Sequence, residues 1–370
     1  MSEPTRHRSY DLTLKVVTPL FLGGASPTES AELRPPSIKG AMRFWHRATG
    51  PGALDSEPMV FGSSSGRLHG QALFLLQIQS PLTSTTKPPP KWDPAIKYMG
   101  YGLFETKKSL PRAYIPEGTD IRLRLVFRPG TSDEGVQEVF RSIRLMNYFG
   151  GLGSRSRRGF GSVAIDKDMP NDLDDLEKRI GDEFDSLEMA AYDQVEYTMF
   201  SNRSRVLLLP GDRTWQNTLL KVARPMTTLR NPAGGRSQGY RWSSNDAHLI
   251  GRYARTGMVG QAPVRSAFGL PHNYFFKDTG TTVNVGNNIR KASPLFIHIH
   301  RLSNGQHAAV VSYLPAPVVP PGKKIRISTG GKPSRDVSPP DDFSAVIDFL
   351  DYLVQVGGAR EVELDHGKTK

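Results

Sequence analysis

The segment from Gly150 to Gly161 constrains the fold more than any other, because five of its twelve residues are glycine and three are arginine. Glycine permits positive φ and close approach of the backbone, so that successive N–H groups can surround an anion. Arginine adds a planar cation suited to phosphate. The spacing is not Gly-x-Gly-x-x-Gly, and residues 160–165 follow as a short strand rather than a helix. This pattern disfavours a dinucleotide fold and predicts a polyanion-binding loop; the alternative is a surface loop that is only flexible and basic.

The spacing of apolar residues predicts a β-α-β-β-α-β order in the first 165 residues, which is the ferredoxin-like unit. Alternation predicts strands at 10–17, 71–79 and 121–128, three- and four-residue steps predict helices at 38–48 and 136–146, and a fourth strand follows the glycine-rich loop. RNA-recognition motifs share this topology but stack bases on sheet aromatics. Here the polar face carries Thr13, Lys15, Arg122 and Arg124 without an aromatic signature, so that mode of binding is not expected.

The chain is therefore predicted to be an α+β protein with a first domain at 1–165, an acidic helical linker at 166–200 and a second domain at 201–370. The second half is less regular. Its pattern predicts strands at 206–209, 295–302 and 308–314, and helices at 215–222 and 343–353. The stretch 225–290 is rich in Gly, Arg and Asn and predicts long surface loops, and 315–340 predicts a proline-rich connector.

Two further motifs precede the first predicted helix, one from Thr18 to Ala25 and one from Glu32 to Trp45. With the glycine-rich loop before the last strand, they resemble the RAMP proteins of CRISPR systems, and among these the first-subunit family of the type III-B (Cmr) RNA-guided effector complex. The resemblance covers residues 10–50 and 140–165, with a weaker echo at 290–295. It implies tandem ferredoxin-like domains, the second of them diverged with long loops.

The resemblance also implies a role. A member of that family is expected near the 3′ region of the guide RNA, where it helps capture or hold target RNA in antiviral defence. The implied partners are guide RNA, target RNA and other Cmr subunits. Because that family assigns target cutting to a different RAMP subunit, no catalytic residue is expected. The alternative is a metal-independent endoribonuclease acting on guide-precursor RNA, with His46 as the general base; the sequence offers no paired acid for it.

The charge distribution independently favours a polyanionic partner. The net charge is +12, divided into +9 over residues 1–160, −9 over 161–200 and +12 over 201–301. Twelve of the fifteen cations in the last block are arginines, a bias that phosphate and base contacts use and solubility does not need. The acidic block is either a solvated helix or a cover for a neighbouring basic protein surface.

The candidate RNA contacts follow from helix-terminus, arginine and aromatic chemistry. The start of the first helix has a positive dipole end, and aromatic and guanidinium planes stack on unpaired bases. The predicted RNA-binding residues are Arg34, Lys39, Arg43 and Arg47 along the first helix, Arg155, Arg157, Arg158 and Phe160 in the glycine-rich loop, and Arg224, Arg230, Arg236, Arg241, Trp242 and Arg265 in the second basic block.

Other classes of protein are disfavoured. The chain has no cysteine and no apolar run of the roughly 18 residues that span a membrane, so a cytoplasmic protein without membrane contact is expected. His298 and His300 share one face of a predicted strand, but a metal would need a third ligand, and only His307 is near in sequence. The nearest approach to a phosphate loop, at 328–333, places Pro333 where Ser or Thr is needed. No metal and no cofactor are expected.

Overall fold

The computed structural model describes residues 8–64, 70–79, 82–86, 92–104, 111–187, 189–230, 241–340 and 343–364. The strands are β1 (Ser9–Val16), β2 (Leu20–Phe21), β3 (Gly62–Ser63), β4 (Gly70–Gln71), β5 (Phe74–Ile78), β6 (Tyr114–Ile115), β7 (Asp120–Phe127), β8 (Val163–Ile165), β9 (Arg205–Pro210), β10 (His272–Phe276), β11 (Thr281–Val285), β12 (Leu295–Arg301), β13 (His307–Tyr313), β14 (Ile325–Thr329), β15 (Lys332–Val337) and β16 (Arg360–Glu361). The α-helices are α1 (Pro35–Arg47), α2 (Ala53–Phe61), α3 (Pro94–Met99), α4 (Asp133–Phe149), α5 (Leu173–Asp185), α6 (Trp215–Arg230), α7 (Arg241–Thr256) and α8 (Ser344–Gln355).

The first sheet has the strand order β5-β7-β1-β8, and each neighbouring pair is antiparallel. Because α1 lies between β1 and β5 and α4 lies between β7 and β8, this is the ferredoxin-like β-α-β-β-α-β arrangement. Leu14 and Leu125 of the sheet share a core with Ile38 of α1 and Val139 of α4. The predicted α+β class is confirmed.

The second sheet repeats this topology with the order β12-β13-β9-β16. Along the chain its elements are β9, α6, β12, β13, α8 and β16, so the strand order is again that of a ferredoxin-like unit. The hairpin between β12 and β13 lies where Ser303, Asn304 and Gly305 predicted it. The second unit differs from the first in its last strand, which contains only two residues.

The central strands of the second sheet are buried on both faces. Val206 and Leu208 of β9 belong to the core that contains α1 and α4, whereas Leu207 and Leu209 belong to the core that contains α6 and α8. The molecule therefore stacks as sheet, helices, sheet, helices. This burial explains why β9 is an almost unbroken apolar run, because a strand that is buried on both faces does not alternate apolar and polar residues.

Two insertions in the second unit build a third sheet, of order β10-β11-β14-β15. For the described residues, the predictions of surface loops over 225–290 and of a connector over 315–340 were therefore wrong; residues 231–240 lie outside the described residues. The two insertions meet where Asn284 of β11 pairs with Ser328 of β14. Such pairing is distant in sequence and leaves no local pattern. Helix α7 covers one face of the sheet with Ile250 and Tyr253.

The predicted acidic helix is α5, which is only partly a solvated element. Leu176, Ile180 and Phe184 pack into the core shared with the first sheet. Its carboxylates pair with cations of this chain, Glu183 with Arg144 and Asp174 with Arg360. The acidic block thus covers the protein's own basic residues. The domain boundaries at 165 and 200 stay a prediction. Within the described ranges, no helix has the length and apolar character needed to cross a membrane.

Candidate nucleic-acid interface

Two of the three motifs that carry the family resemblance, the one beginning at Thr18 and the glycine-rich loop, contact each other through backbone and hydroxyl groups. The Gly161 N–H donates to the Pro19 carbonyl at 3.0 Å, and the Ser154 N–H donates to the Phe21 carbonyl at 2.7 Å. The Thr18 hydroxyl accepts from the Ser162 N–H at 2.9 Å. The motif beginning at Thr18 and the glycine-rich loop are therefore one structural site, although more than 120 residues of sequence separate them.

Glycine is needed in this loop for contact with the protein itself. Gly161 has φ of +66°, and a Cβ added there would lie 2.0 Å from the Leu152 carbonyl oxygen. Gly153 has φ of +76°, and its Cβ would lie 2.3 Å from the Phe21 oxygen. The N–H groups of Leu152, Ser154, Gly159 and Gly161 all donate to backbone carbonyls. These four N–H groups are therefore occupied within the protein and cannot surround an anion as predicted.

The predicted contact between Phe160 and RNA is contradicted by burial. The ring is fully buried and stacks on Trp92 at a centroid distance of 5.8 Å. It also contacts Trp215 edge-on at 6.3 Å. Trp92 precedes α3 and Trp215 begins α6, so Phe160 joins the first unit to the second rather than facing a base.

Arg157 is likewise engaged inside the protein. Its guanidinium lies 4.2 Å from the centre of the Phe296 ring and 5.1 Å from that of Phe44, and it donates to the Ser293 carbonyl. Burial lowers the pKa of Arg157 to about 10, so it stays protonated at neutral pH. Because its charge lies between α1 and β12, Arg157 holds the two units together and is a poor candidate for a phosphate contact.

Four other arginines converge at the same boundary and form what we call the seam cluster: Arg112, Arg155, Arg158 and Arg265. Arg112 donates to the Ser154 hydroxyl at 2.9 Å, and Arg155 donates to the Tyr101 carbonyl at 2.9 Å. Burial lowers the pKa of Arg158, which is raised by Tyr98 and lowered further by Arg155 and Arg265. Burial also lowers the pKa of Arg155, as does Arg112 to a smaller extent.

Among the described residues, no carboxylate lies within 4.0 Å of any seam-cluster guanidinium. Arg155 is exposed and the other three are half-buried. Partly desolvated like charges repel one another and are stabilised when an anion joins them. The buried Nε of Arg265 also has no hydrogen-bond partner among the described residues. The seam cluster therefore has the electrostatic character of an anion site that is open to solvent.

The residues that sequence reasoning missed here are Arg112 and Tyr101. The Tyr101 ring is 76% exposed beside Arg155, which makes it an aromatic surface next to the cations. Both residues lie in the stretch 80–118, which is rich in Pro and Lys and has no clear spacing of apolar residues. Its lysine and arginine content was the available signal, and the packing of α3 on α6 brings this stretch to the boundary.

The basic face of α1 differs, because its cations have partners within the protein. Arg43 and Arg47 bind the two oxygens of Glu57 at 3.2 and 3.0 Å. Arg43 also donates to the Phe61 carbonyl at 2.8 Å. Lys39 lies 5.3 Å from the centre of the Phe74 ring, and burial lowers its pKa. Because one carboxylate holds both guanidiniums, Arg43, Arg47 and Glu57 together keep a net charge of +1, and the predicted RNA contact of the two arginines stays a prediction.

The start of α1 is also a weaker anion site than predicted. Proline has no N–H group, and Pro35 and Pro36 occupy the first two helical positions. The Ser37 N–H donates to the Arg34 carbonyl at 2.9 Å. Two of the expected donors are thus missing and a third is occupied. The Arg34 side chain is exposed, with its Nε 4.0 Å from Glu32.

The remaining predicted residues belong to the second basic block. Arg224 on α6 is exposed and pairs with Asp93 at 3.0 Å. Among the residues of this block whose side chains the structure describes, Arg265 is the one that belongs to the seam cluster. Arg236, and the side chains of Arg230, Arg241 and Trp242, lie outside the described residues, so their predicted RNA contacts stay predictions.

The histidines do not form a catalytic or metal constellation in the described part of the chain. His46 was expected on the flank of the basic face, but it is 1% exposed, with Nε2 2.9 Å from the Ser56 hydroxyl and Nδ1 3.5 Å from Glu138. Burial lowers its pKa. His298 and His300 are fully buried and bind each other at 3.2 Å. A base buried in this way cannot reach a ribose hydroxyl, so His46 does not support the nuclease alternative.

Comparison with known proteins agrees with the family predicted from the motifs. Residues 13–164 match the RAMP superfamily. The CRISPR system Cmr subunit Cmr1-1 of Pyrococcus furiosus is 26% identical over 320 residues, covering 82% of this chain and 86% of the relative. The predicted resemblance is confirmed.

Two solved structures share the fold. The crystal structure of apo Cmr1 from Pyrococcus furiosus superposes with a TM-score of 0.52 at 18% identity, covering 96% of this chain and 98% of that one. A chain of the type III-B Cmr-beta complex, bound to cognate target RNA and AMPPnP in the presence of ssDNA, superposes with a TM-score of 0.50 at 13% identity, covering 93% and 98%.

The RAMP region contains the first sheet except for residues 9–12 and 165, and it contains three members of the seam cluster. Arg112, Arg155 and Arg158 lie within residues 13–164, whereas Arg265 comes from the insertion in the second unit. The candidate interface is therefore assembled from the RAMP region and a segment outside the family match.

Proposed function

We propose that this chain is a non-catalytic, RNA-binding subunit of a type III-B Cmr ribonucleoprotein. In this proposal it helps capture or hold target RNA near the 3′ region of the guide RNA in antiviral defence, with guide RNA, target RNA and other Cmr subunits as partners. The RAMP match and the relative described as a Cmr subunit support this assignment. The observation that carries it is the seam cluster, four guanidiniums that have no carboxylate within 4.0 Å among the described residues.

The proposed mechanism is electrostatic and tolerant of sequence. Guanidiniums of the seam cluster bind backbone phosphates, because each offers several donors in one plane. The exposed Tyr101 ring beside Arg155 provides a surface for an unpaired base. Each phosphate contact releases bound counterions, so affinity falls steeply as the salt concentration rises.

The test compares two triple variants of the full chain. Replacing Arg112, Arg155 and Arg158 with Ala removes three seam cations. The control replaces Arg122, Arg213 and Arg252, which are exposed and have no carboxylate within 4.0 Å among the described residues. We expect the slope of log affinity for single-stranded RNA against log salt to fall by about two units in the seam variant and to change little in the control.

Thermal unfolding of both variants is the second measurement. Equal slopes in the two variants would show that net charge, and not the seam cluster, binds RNA. A strongly lowered melting temperature for the seam variant alone would assign these arginines a structural role. RNA cleavage by the purified chain would overturn the non-catalytic part of the proposal.

A further inference from the structure

The third sheet has one face that α7 leaves open. Helix α7 packs against the side that carries Val283, Ile325 and Ile327. The alternate residues of the strands point to the opposite side. They are Asn273, Phe275, Thr282, Asn284, Arg326 and Ser328.

Phe275 is the aromatic residue of this face, and it is 64% exposed. It lies on β10 opposite Thr282 of β11, while Asn273 pairs with Asn284 and Asn284 with Ser328. An exposed ring surrounded by amides and hydroxyls provides one stacking surface and several hydrogen-bonding groups for a flat polar ligand. The open face of the first sheet has no such residue, since its exposed apolar side chain is Leu75 of β5.

The charge around this sheet is strongly positive. Residues 241–290 and 315–340 together contain eleven Lys and Arg residues and three Asp residues, a net charge of +8. The Arg326 guanidinium on the open face is neutralised by Asp336, with N–O distances of 2.9 and 3.0 Å. Exposed cations at the edges and turns have no carboxylate within 4.0 Å among the described residues; they are Lys277, Arg290, Lys323 and Lys324. The pattern is an aromatic and amide centre with a cationic rim.

We propose that this open face is a second binding site for single-stranded RNA, in which an unpaired base stacks on Phe275. The amides of Asn273 and Asn284 bind the edge of that base, and the cations of the rim bind the flanking phosphates. Base stacking on a sheet aromatic is an established way to hold unpaired RNA. The inference rests on the proposed function in that RNA is the ligand, but its site lies outside the seam cluster and outside the family match.

The test uses a single-stranded RNA that contains 2-aminopurine, whose fluorescence falls when the base stacks. Phe275→Ala in the full chain is expected to weaken binding about fivefold to a hundredfold. Phe275→Tyr should restore affinity, because tyrosine keeps the ring. The matched control is Leu75→Ala, which shortens an apolar side chain of similar exposure on the first sheet and should leave affinity unchanged.

The salt dependence separates this inference from the proposed function. Phe275→Ala removes no charge, so we expect the same slope as wild type at a uniformly lower affinity. This inference alone would be overturned if the wild-type chain binds RNA and the seam variant has a lowered slope, but Phe275→Ala changes neither the affinity nor the fluorescence. A wild-type chain that does not bind RNA at low salt would overturn both. Unchanged RNA affinity with loss of assembly into the complex would assign the face to a protein partner instead.

Discussion

The seam cluster and the basic face of α1 are two arginine-rich surfaces of this chain, and the sequence predicted RNA contacts for residues of both. On α1, Arg43 and Arg47 share the carboxylate of Glu57 at 3.2 and 3.0 Å. In the seam cluster, Arg155 and Arg158 have no carboxylate within 4.0 Å among the described residues. On α1 a carboxylate of the protein offsets part of the positive charge, whereas the seam cluster has no such carboxylate among the described residues.

This difference shows that the number of cations in a motif does not predict how much charge is available. Glu57 lies on α2, ten and fourteen residues after the arginines that it binds. Only the turn between α1 and α2 brings it back to that face. In the glycine-rich loop, by contrast, Phe160 is buried and Arg157 packs against the protein, whereas Arg155 is exposed. A motif can therefore be structural and functional at neighbouring positions.

The largest expected effect tests whether the glycine-rich loop belongs to the core. Phe160→Ala should lower the free energy of unfolding by about 3–5 kcal/mol, because it leaves a cavity between Trp92 and Trp215. The measurement is chemical denaturation of the full chain. Tyr101→Ala is the control, since its ring is 76% exposed and should change stability by less than about 0.5 kcal/mol. A folded Phe160→Ala chain with unchanged stability and weaker RNA binding would return Phe160 to the interface.

The second prediction compares the pH dependence of stability that arises from two buried histidines, His298 beside the glycine-rich loop and His46 on α1. His298 Nδ1 donates to the Gly150 carbonyl at 2.6 Å, and burial lowers the pKa of His298 to about 4. The unfolded chain therefore binds more protons between about pH 6.5 and 4, so stability is present above the unfolded pKa and is lost as pH falls. Lowering the pH from 7 to 5 should cost about 2 kcal/mol through His298. The measurement is denaturant unfolding at both values of pH.

His298→Gln can still donate to Gly150 and should flatten this pH dependence. On α1, burial lowers the pKa of His46, but Glu138 and Glu57 raise it again in part. His46→Gln should therefore flatten the pH dependence less. Identical pH profiles for wild type and His298→Gln would show that this histidine does not couple folding to protonation.

Local periodicity correctly predicted the first sheet, because Leu14 of β1 and Leu125 of β7 alternate with solvent-facing residues over one core. It also predicted β9, β12 and β13, whose apolar runs are long. It failed for the third sheet, since the pairing of Asn284 with Ser328 joins two insertions that are distant in sequence. Nothing in either segment alone indicates its partner.

The candidate site was predicted by residue type but not by position. The sequence located the loop and Arg155, yet it could not show that Phe160 packs between Trp92 and Trp215. Nor could it predict Arg112, whose stretch lacks a period. These failures have one cause. Burial and ion pairing depend on which distant segments meet, and that is a property of the complete fold.

The third prediction concerns the basic face of α1, where Arg43 and Arg47 share Glu57. Replacing Arg43 and Arg47 together with Ala should leave the salt slope for RNA nearly unchanged. It should lower the free energy of unfolding by about 1–3 kcal/mol, because Glu57, whose side chain is 13% exposed, loses both of its cations. Adding Glu57→Gln to this variant should recover part of the loss, since the uncompensated charge is removed. A slope that falls as far as in the seam variant would show that α1 also binds RNA.

The smallest expected effect separates Arg157 from its neighbours in the loop. Arg157→Lys keeps the charge but replaces a planar guanidinium that lies over Phe296 at 4.2 Å and donates to the Ser293 carbonyl. A lysine ammonium stacks less well on a ring, so we expect a loss of about 0.5–1 kcal/mol in the free energy of unfolding. The salt slope for RNA should stay the same, because the guanidinium faces the protein. Arg155→Lys is the matched control, since Arg155 is exposed and this change keeps the charge on which the salt slope depends. That variant should melt like wild type and keep its slope. If Arg157→Lys instead weakened RNA binding without any loss of stability, Arg157 would be an RNA-binding residue like Arg155 and Arg158, and not a structural one.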